Sequence, residues 1–301
     1  MDLTPLLDAA REGPEAFAAA CPDDGDARHE LATALRERAE SDPDAVADAL
    51  AGLAPLLADD RDSTRLLTAK TYLAVAEARP GAVPTAPLRD ALDDDFYYVR
   101  GRAVQALGRV ARARGEVDPS LLARLLNGLE LEREESRERY AGALADCALA
   151  DAAALRTLVP DIADALDDDS AVVRYHLVTA LAAVAEVEPG WVADVADALR
   201  EQLADGESYV AGRAAEALGY AGVAVDRAVA GDGGDADDEA LAFRDERVAF
   251  AAGDAPTADL PAIAEGHDDA AEAVAAPDEQ GDPALPPGHP GHPAGPGGLG
   301  Q

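Results

Sequence analysis

The side chains best equipped for recognition are cations set in columns. Arg102, Arg139, His176 and Arg213, with Arg109 two turns beyond Arg102, recur at matching points of a pattern that returns along the chain, and Arg100, Arg137 and Arg174 form a second column. A guanidinium is a planar, permanently charged fork that takes a carboxylate through two parallel hydrogen bonds, so the first column fits an acidic peptide or a chain-terminal carboxylate. The competing reading pairs these arginines with carboxylates of their own or neighbouring repeats. Catalytic chemistry is harder to assemble. Cys21 and Cys147 stand far apart, outside any CxxC or Cys/His spacing, and read as small apolar residues rather than a disulfide or a zinc site. His267, His289 and His292 fall in the C-terminal region, where Gly288-His289-Pro290-Gly291-His292 reads as a solvated linker ahead of a weak metal ligand. Gly-rich phosphate loops, Ser/His/Asp sets and nucleophile elbows do not stand out. The expectation is no catalytic, cofactor or metal residue, and no enzyme.

Helices must position these columns. In Asp93 to Arg112, Val99, Ala103, Ala106, Leu107 and Val110 lie on one stripe of a helix with 3.6 residues per turn. Leu107 maps onto Leu144, Leu181 and Leu218, each 37 residues after the last, and backwards onto Leu73 and Leu35. A second column precedes it in each unit: Ala20, Leu57, Leu92, Leu129, Leu166 and Leu203. Each unit is therefore a pair of helices joined by an acidic turn, where carboxylates meet the unpaired N–H groups of the second helix. A lone hairpin cannot bury both apolar faces, so the units must stack. The expected fold is an all-α alpha-solenoid, an α–α superhelix of about six hairpins. On the second helices, the face pointing away from the first helices reads Glu30, Thr33, Glu37; Thr68, Thr71, Val75; Arg102, Gln105, Arg109; Arg139, Gly142, Asp146; His176, Thr179, Ala183; and Arg213, Glu216, Tyr220. That face becomes the concave side, carrying the basic column.

The stretches Asp93 to Ala111, Asp167 to Ala185 and Asp205 to Gly222 resemble the HEAT repeat family, in the short HEAT-like form described in phycobilin lyases, whose pattern of an Asp ahead of a Val-Arg pair and then Ala, Ala-Leu and Gly is matched by Asp94 with Val99-Arg100 and Asp168 with Val173-Arg174. The units are shorter than the usual ~40–47 residues of HEAT repeats, which favours the short form. The resemblance covers roughly residues 1–222 and implies a fold far more than an activity. It also implies a ladder between repeats in which Asp94 and Asp168 pair with two of Arg100, Arg137 and Arg174. Arg28-His29-Glu30-Leu31 looks like one metal-ligand pair of the HEAT-like deoxyhypusine hydroxylases, but a single pair cannot supply a two-metal centre. Lyase activity finds no supporting residue.

Composition narrows the partners. The 301 residues carry 60 acidic against 25 basic side chains, a net charge of −35, with Lys70 the only lysine. Such a surface repels phosphate, so nucleic acid is not expected, including the substrates of HEAT-like DNA glycosylases. It suits a halophilic proteome in multimolar salt, where the Debye length falls to about 3 Å; the alternative is attraction of basic partners. The N-terminus has no apolar run long enough for a signal peptide or membrane span, so the reading is cytoplasmic, with no membrane partner. The expected organisation is a solenoid over 1–222, an acidic linker over 223–276 in which Leu241–Ala252 forms a docking helix or short strand pair and Leu260–Ala276 a weak helix, and a disordered Pro/Gly-rich tail over 277–301. The function that follows is a scaffold or adaptor binding a protein partner along the concave face; the alternative is an enzyme or enzyme accessory of HEAT-like type.

Overall fold

The computed structural model describes residues 2–229, 236–257 and 260–275. The stretch 277–301, with His289 and His292, lies outside them. Every regular element among the described residues is helical. They fall into two compact units, one running to Ala106 and one beginning at Leu107. The second helix of each hairpin is long: α1 (Gly25–Ser41), α2 (Asp62–Ala78), α3 (Tyr97–Arg114), α4 (Glu134–Ala150), α5 (Ala171–Val187) and α6 (Ser208–Tyr220). Two more helices follow, α7 (Asp238–Ala251) and α8 (His267–Val274).

The first helices are broken, apart from Pro119–Gly128, and proline does much of the breaking. Its ring is welcome in a first turn and obstructive further in. The run before α5 shows this at Pro160: a 3₁₀ segment, Ala152–Leu158, ends and a new helix, Val159–Asp164, starts with that proline in its first turn. Both leucine columns are interior. Leu35, Leu107, Leu144, Leu181 and Leu218 are no more than 4% exposed, and Leu57, Leu92, Leu129, Leu166 and Leu203 are buried as well. Ala20 is exposed, and Phe17 fills the core in its place.

One repeat has a register different from the sequence expectation. Tyr72, not Leu73, occupies the interior position of α2: it is fully buried and its hydroxyl donates to the carbonyl of Leu50 at 2.5 Å. The shift moves the outward face of α2 by one residue. Thr68, Thr71 and Val75 are buried, while Leu67, Lys70 and Ala74 are half-exposed.

Within each unit an arginine ladder ties hairpin to hairpin. Arg137 donates through Nε and Nη2 to the two carboxylate oxygens of Asp168 at 2.6 and 3.0 Å, and Arg174 does the same to Asp205 at 2.7 and 3.0 Å. In the first unit Arg28 pairs with Asp59, and Arg65 with Asp94. The third nitrogen closes the arginine's own turn, as when Arg174 Nη1 donates to the carbonyls of Asp168 and Asp169. Each aspartate also accepts the backbone N–H two residues on, at the start of the next long helix. One carboxylate therefore caps a turn and receives the preceding repeat's fork, which is why the turn needs Asp rather than any acid. Asp94 thus pairs with Arg65, a partner outside the expected column. Arg100 donates to the carbonyls of Asp94 and Asp95, and Leu131 stands 31 residues on, where Arg137 and Arg174 have their aspartates. Because the Arg174–Asp205 pair is bidentate and mostly buried, Arg174→Ala should cost about 2–3 kcal/mol. Thermal unfolding would register this, and a loss under ~0.5 kcal/mol would show the rung to be ornamental.

Leu241–Ala252 is a single helix, α7, and not a strand pair. It packs along α6 because α6 offers notches: a Cβ on Gly212 would sit 2.8 Å from the Phe243 ring, and one on Gly219 would sit 2.5 Å from the Phe250 ring. Between the notches Glu216 takes Arg213 Nη1 at 2.6 Å and Arg247 Nε at 3.0 Å, all three side chains at most 3% exposed.

Candidate functional site

The expected basic column is divided by the fold. Arg102 belongs to the first unit, where its Nη1 donates to Gln105 at 2.7 Å. In the second unit Arg139 is half-buried with a Glu135 carboxylate 4.0 Å away, and Arg213, expected on an open face, is fully buried beneath α7. Arg109 and His176 do come together, joined by Arg112, which lies one turn beyond Arg109 and outside the positions read from sequence.

What gathers them is a piece of the same chain. In the segment ending in α8, Ile263, His267, Ala270 and Val274 are buried at 2, 1, 5 and 6% exposure; the last three, spaced three and four apart, share one face of the helix, and Ile263 extends the stripe from the turn before it. Gly266 starts the helix at φ +70°, a left-handed backbone that suits glycine. The stripe lies against α5, and the carboxylates of Asp268, Asp269 and Glu272 point outward. Asp268 is gripped by two arginines of α3: Arg109 Nη1 at 2.9 Å and Arg112 Nη1 at 3.0 Å to each oxygen. The same two arginines reach Asp146, a buried residue of α4 on the outward face. Arg112 Nη2 also donates to the Ala264 carbonyl at 3.0 Å. His267, grouped from sequence with the C-terminal histidines, is interior: its ring stacks on Tyr175 at 5.5 Å and 13°, with the His176 ring edge-on at 5.5 Å. The Tyr175 hydroxyl donates to the His267 carbonyl at 3.4 Å.

The electrostatics follow from burial among cations. Burial, reinforced by Arg109, lowers His176 to about 4; burial, His176, Arg213, Arg112 and Arg109 lower His267 to about 2. Burial pushes the Asp146 carboxyl upward against the pull of Arg109 and Arg112. The arrangement can hold an apolar-faced helix through a stripe, a stacked ring and a forked carboxylate. Elsewhere, Cys147 is buried with its thiol pushed up to about 12, Cys21 is half-buried, and His29 Nδ1 lies 3.2 Å from Ser63 Oγ. Among the described residues no helix is long and apolar enough to cross a membrane. Sequence periodicity marked the face but not its cover, because the covering stripe is only four residues long and sits amid acidic residues.

Fold and face together define an all-α helical-repeat solenoid of the armadillo/HEAT-like kind. No protein-family pattern and no curated protein matches the chain. Solved structures do. It is similar to a designed armadillo repeat protein at TM-score 0.60 and 19% identity, over 73% of this chain and 100% of that one. A designed armadillo repeat protein in complex with the peptide (KR)4 matches at TM-score 0.54 and 20% identity over the same share of this chain and all of its own. Kap121p matches at TM-score 0.54 and 16% identity, over 84% of this chain and 29% of Kap121p. At these identities the likeness is one of fold.

Proposed function

We propose that the chain is a protein-binding scaffold, not a catalyst, built from short HEAT-like repeats and working in a salt-rich cytoplasm. Its repeats hold a polypeptide partner along the outward face of the second helices. The observation that carries this reading is the seating of Ile263–Val274 on that face through arginine forks and an apolar stripe, the contacts used when an amphipathic helix lies in a groove. A designed armadillo neighbour in complex with the peptide (KR)4 has the same type of fold; the forks here, Arg109 and Arg112, suit an acidic one. The net charge of −35 supports the salt-rich setting, where screening spares the fold its self-repulsion.

The test is photocrosslinking in native high-salt extract, with a photoreactive residue placed at Arg139 or Lys70 on the outward faces, or at exposed Val187 as a control. Adducts with a discrete protein from the face positions and none from Val187 are expected. Adducts from Val187 alone would move the binding surface off this face and sink the reading.

A further inference from the structure

The two C-terminal helices of the second unit are attached in different ways. α7 is locked to α6 by rings in glycine notches and by a buried carboxylate shared between two arginines. α8 is eight residues long, and a helix that short is marginal on its own. Its charged anchor, Asp268, stays 55% exposed, so its two ion pairs sit at a rim where salt weakens them. Beneath it His176 Nδ1 and His267 Nδ1 are buried with no hydrogen-bond partner among the described residues. Each is an unmet hydrogen bond, and an occupant with an apolar residue in place of His267 removes one of the two. The segment therefore has the form of a ligand that fits, and the energetics of one that can be outcompeted.

We propose that residues 260–275 are a displaceable ligand in cis: the groove over α3, α4 and α5 receives an acidic amphipathic helix from a partner protein, and that helix binds only by expelling Ile263–Val274. This rests on the binding role proposed above and adds the partner's chemistry and its gate. The partner helix carries apolar residues at i, i+3 and i+7 and a carboxylate at i+1, the places of His267, Ala270, Val274 and Asp268. A helix of the opposite charge would meet Arg109 and Arg112 and be refused.

The full chain with Asp268→Arg and Val274→Asp opens the gate without touching the groove, since both changes lie on α8. The probe is a fluorescein-labelled peptide of residues 260–275, followed by anisotropy, with circular dichroism to show that helicity is kept and hydrogen exchange to report on 263–274. Exchange protection over 263–274 should disappear in the variant, and the peptide should bind it at least about tenfold more tightly than wild type, because the cis segment reduces the fraction of open groove. A peptide carrying Asp268→Arg should lose that binding and regain it on an opened chain with Arg109→Glu and Arg112→Glu. Equal affinity for wild type and variant would overturn the gate and leave the binding role standing. Release of the segment with no peptide binding to either chain would overturn both. Protection unchanged in the variant would show α8 to be part of the fold and end the proposal.

Discussion

Glu216→Ala should be the most damaging single substitution in the second unit, lowering stability by about 3–5 kcal/mol and the unfolding midpoint by on the order of 10 °C. One oxygen, Oε2, accepts from both Arg213 and Arg247, and the three side chains have essentially no access to water. Removing the carboxylate leaves two guanidiniums facing each other inside the protein, 5.3 and 3.4 Å from the centre of the Phe243 ring. Burial already lowers Arg247, with Arg213 adding to it, and without Glu216 the two cations keep the Tyr175 hydroxyl, the Phe243 carbonyl and the exposed Glu246 at 4.0 Å as partners. The cost belongs to orphaned charges rather than to lost packing, which a control separates. Replacing all three by apolar residues of similar size, Arg213→Met, Glu216→Leu and Arg247→Met, should restore stability to near wild type or above. A midpoint drop below ~2 °C for Glu216→Ala, measured by circular dichroism, would contradict this account.

Acidification should detach α8 before it unfolds the repeats. His267 is held neutral between Tyr175 and His176, among the cations Arg109, Arg112 and Arg213, whose own partners are the carboxylates of Asp268, Asp146 and Glu216. Once freed, its ring should titrate near 6.5. Because the docked values of both histidines are depressed, the released state binds more protons in this window, and docking is fully stable only above about pH 6.5. Stability then falls as the pH drops, by about 2 kcal/mol for each histidine near pH 5. Hydrogen exchange over 263–274, corrected for the intrinsic pH dependence, should show protection lost between about pH 6.5 and 5 while α5 and α6 stay protected. His267→Phe keeps a ring on Tyr175 without a titrating proton and should halve the effect or better. Protection that persists to about pH 4 in wild type would exclude these rings as the source.

Much of the repeat was legible because its core positions recur at nearly constant spacing. Leucines at 107, 144, 181 and 218 share one environment, and the sequence repeats what the environment demands. The ladder was half legible. Asp168 lay in a matched repeat and Arg137 in the expected arginine column, whereas Arg65 was hidden by a one-residue slip, since Leu73 looks more like Leu107 than does Tyr72, the residue that fills the core. Aligning the arginines at 28, 65, 100, 137 and 174 corrects the slip without any structure. The site was legible only as a face. Which of its cations are open depends on residues far along the chain: Phe243 and Arg247 over Arg213, and His267 and Asp268 over His176 and Arg109. Their segments are too short and too acidic to announce a buried side, so Arg213 reads as a recognition residue and is a core ion instead.

The ladder has a direction: every rung runs from an arginine on one hairpin to an aspartate on the next, and it ends at α6, where Ala211 stands 37 residues after Arg174. α7 is the stopper, its two phenylalanines plugging the notches of the last repeat. A chain whose plug has been prised away would offer bare Gly212 and Gly219 to the leading hairpin of a neighbouring molecule. Such a head-to-tail contact is heterologous, and one that does not close on itself lengthens a molecule at a time.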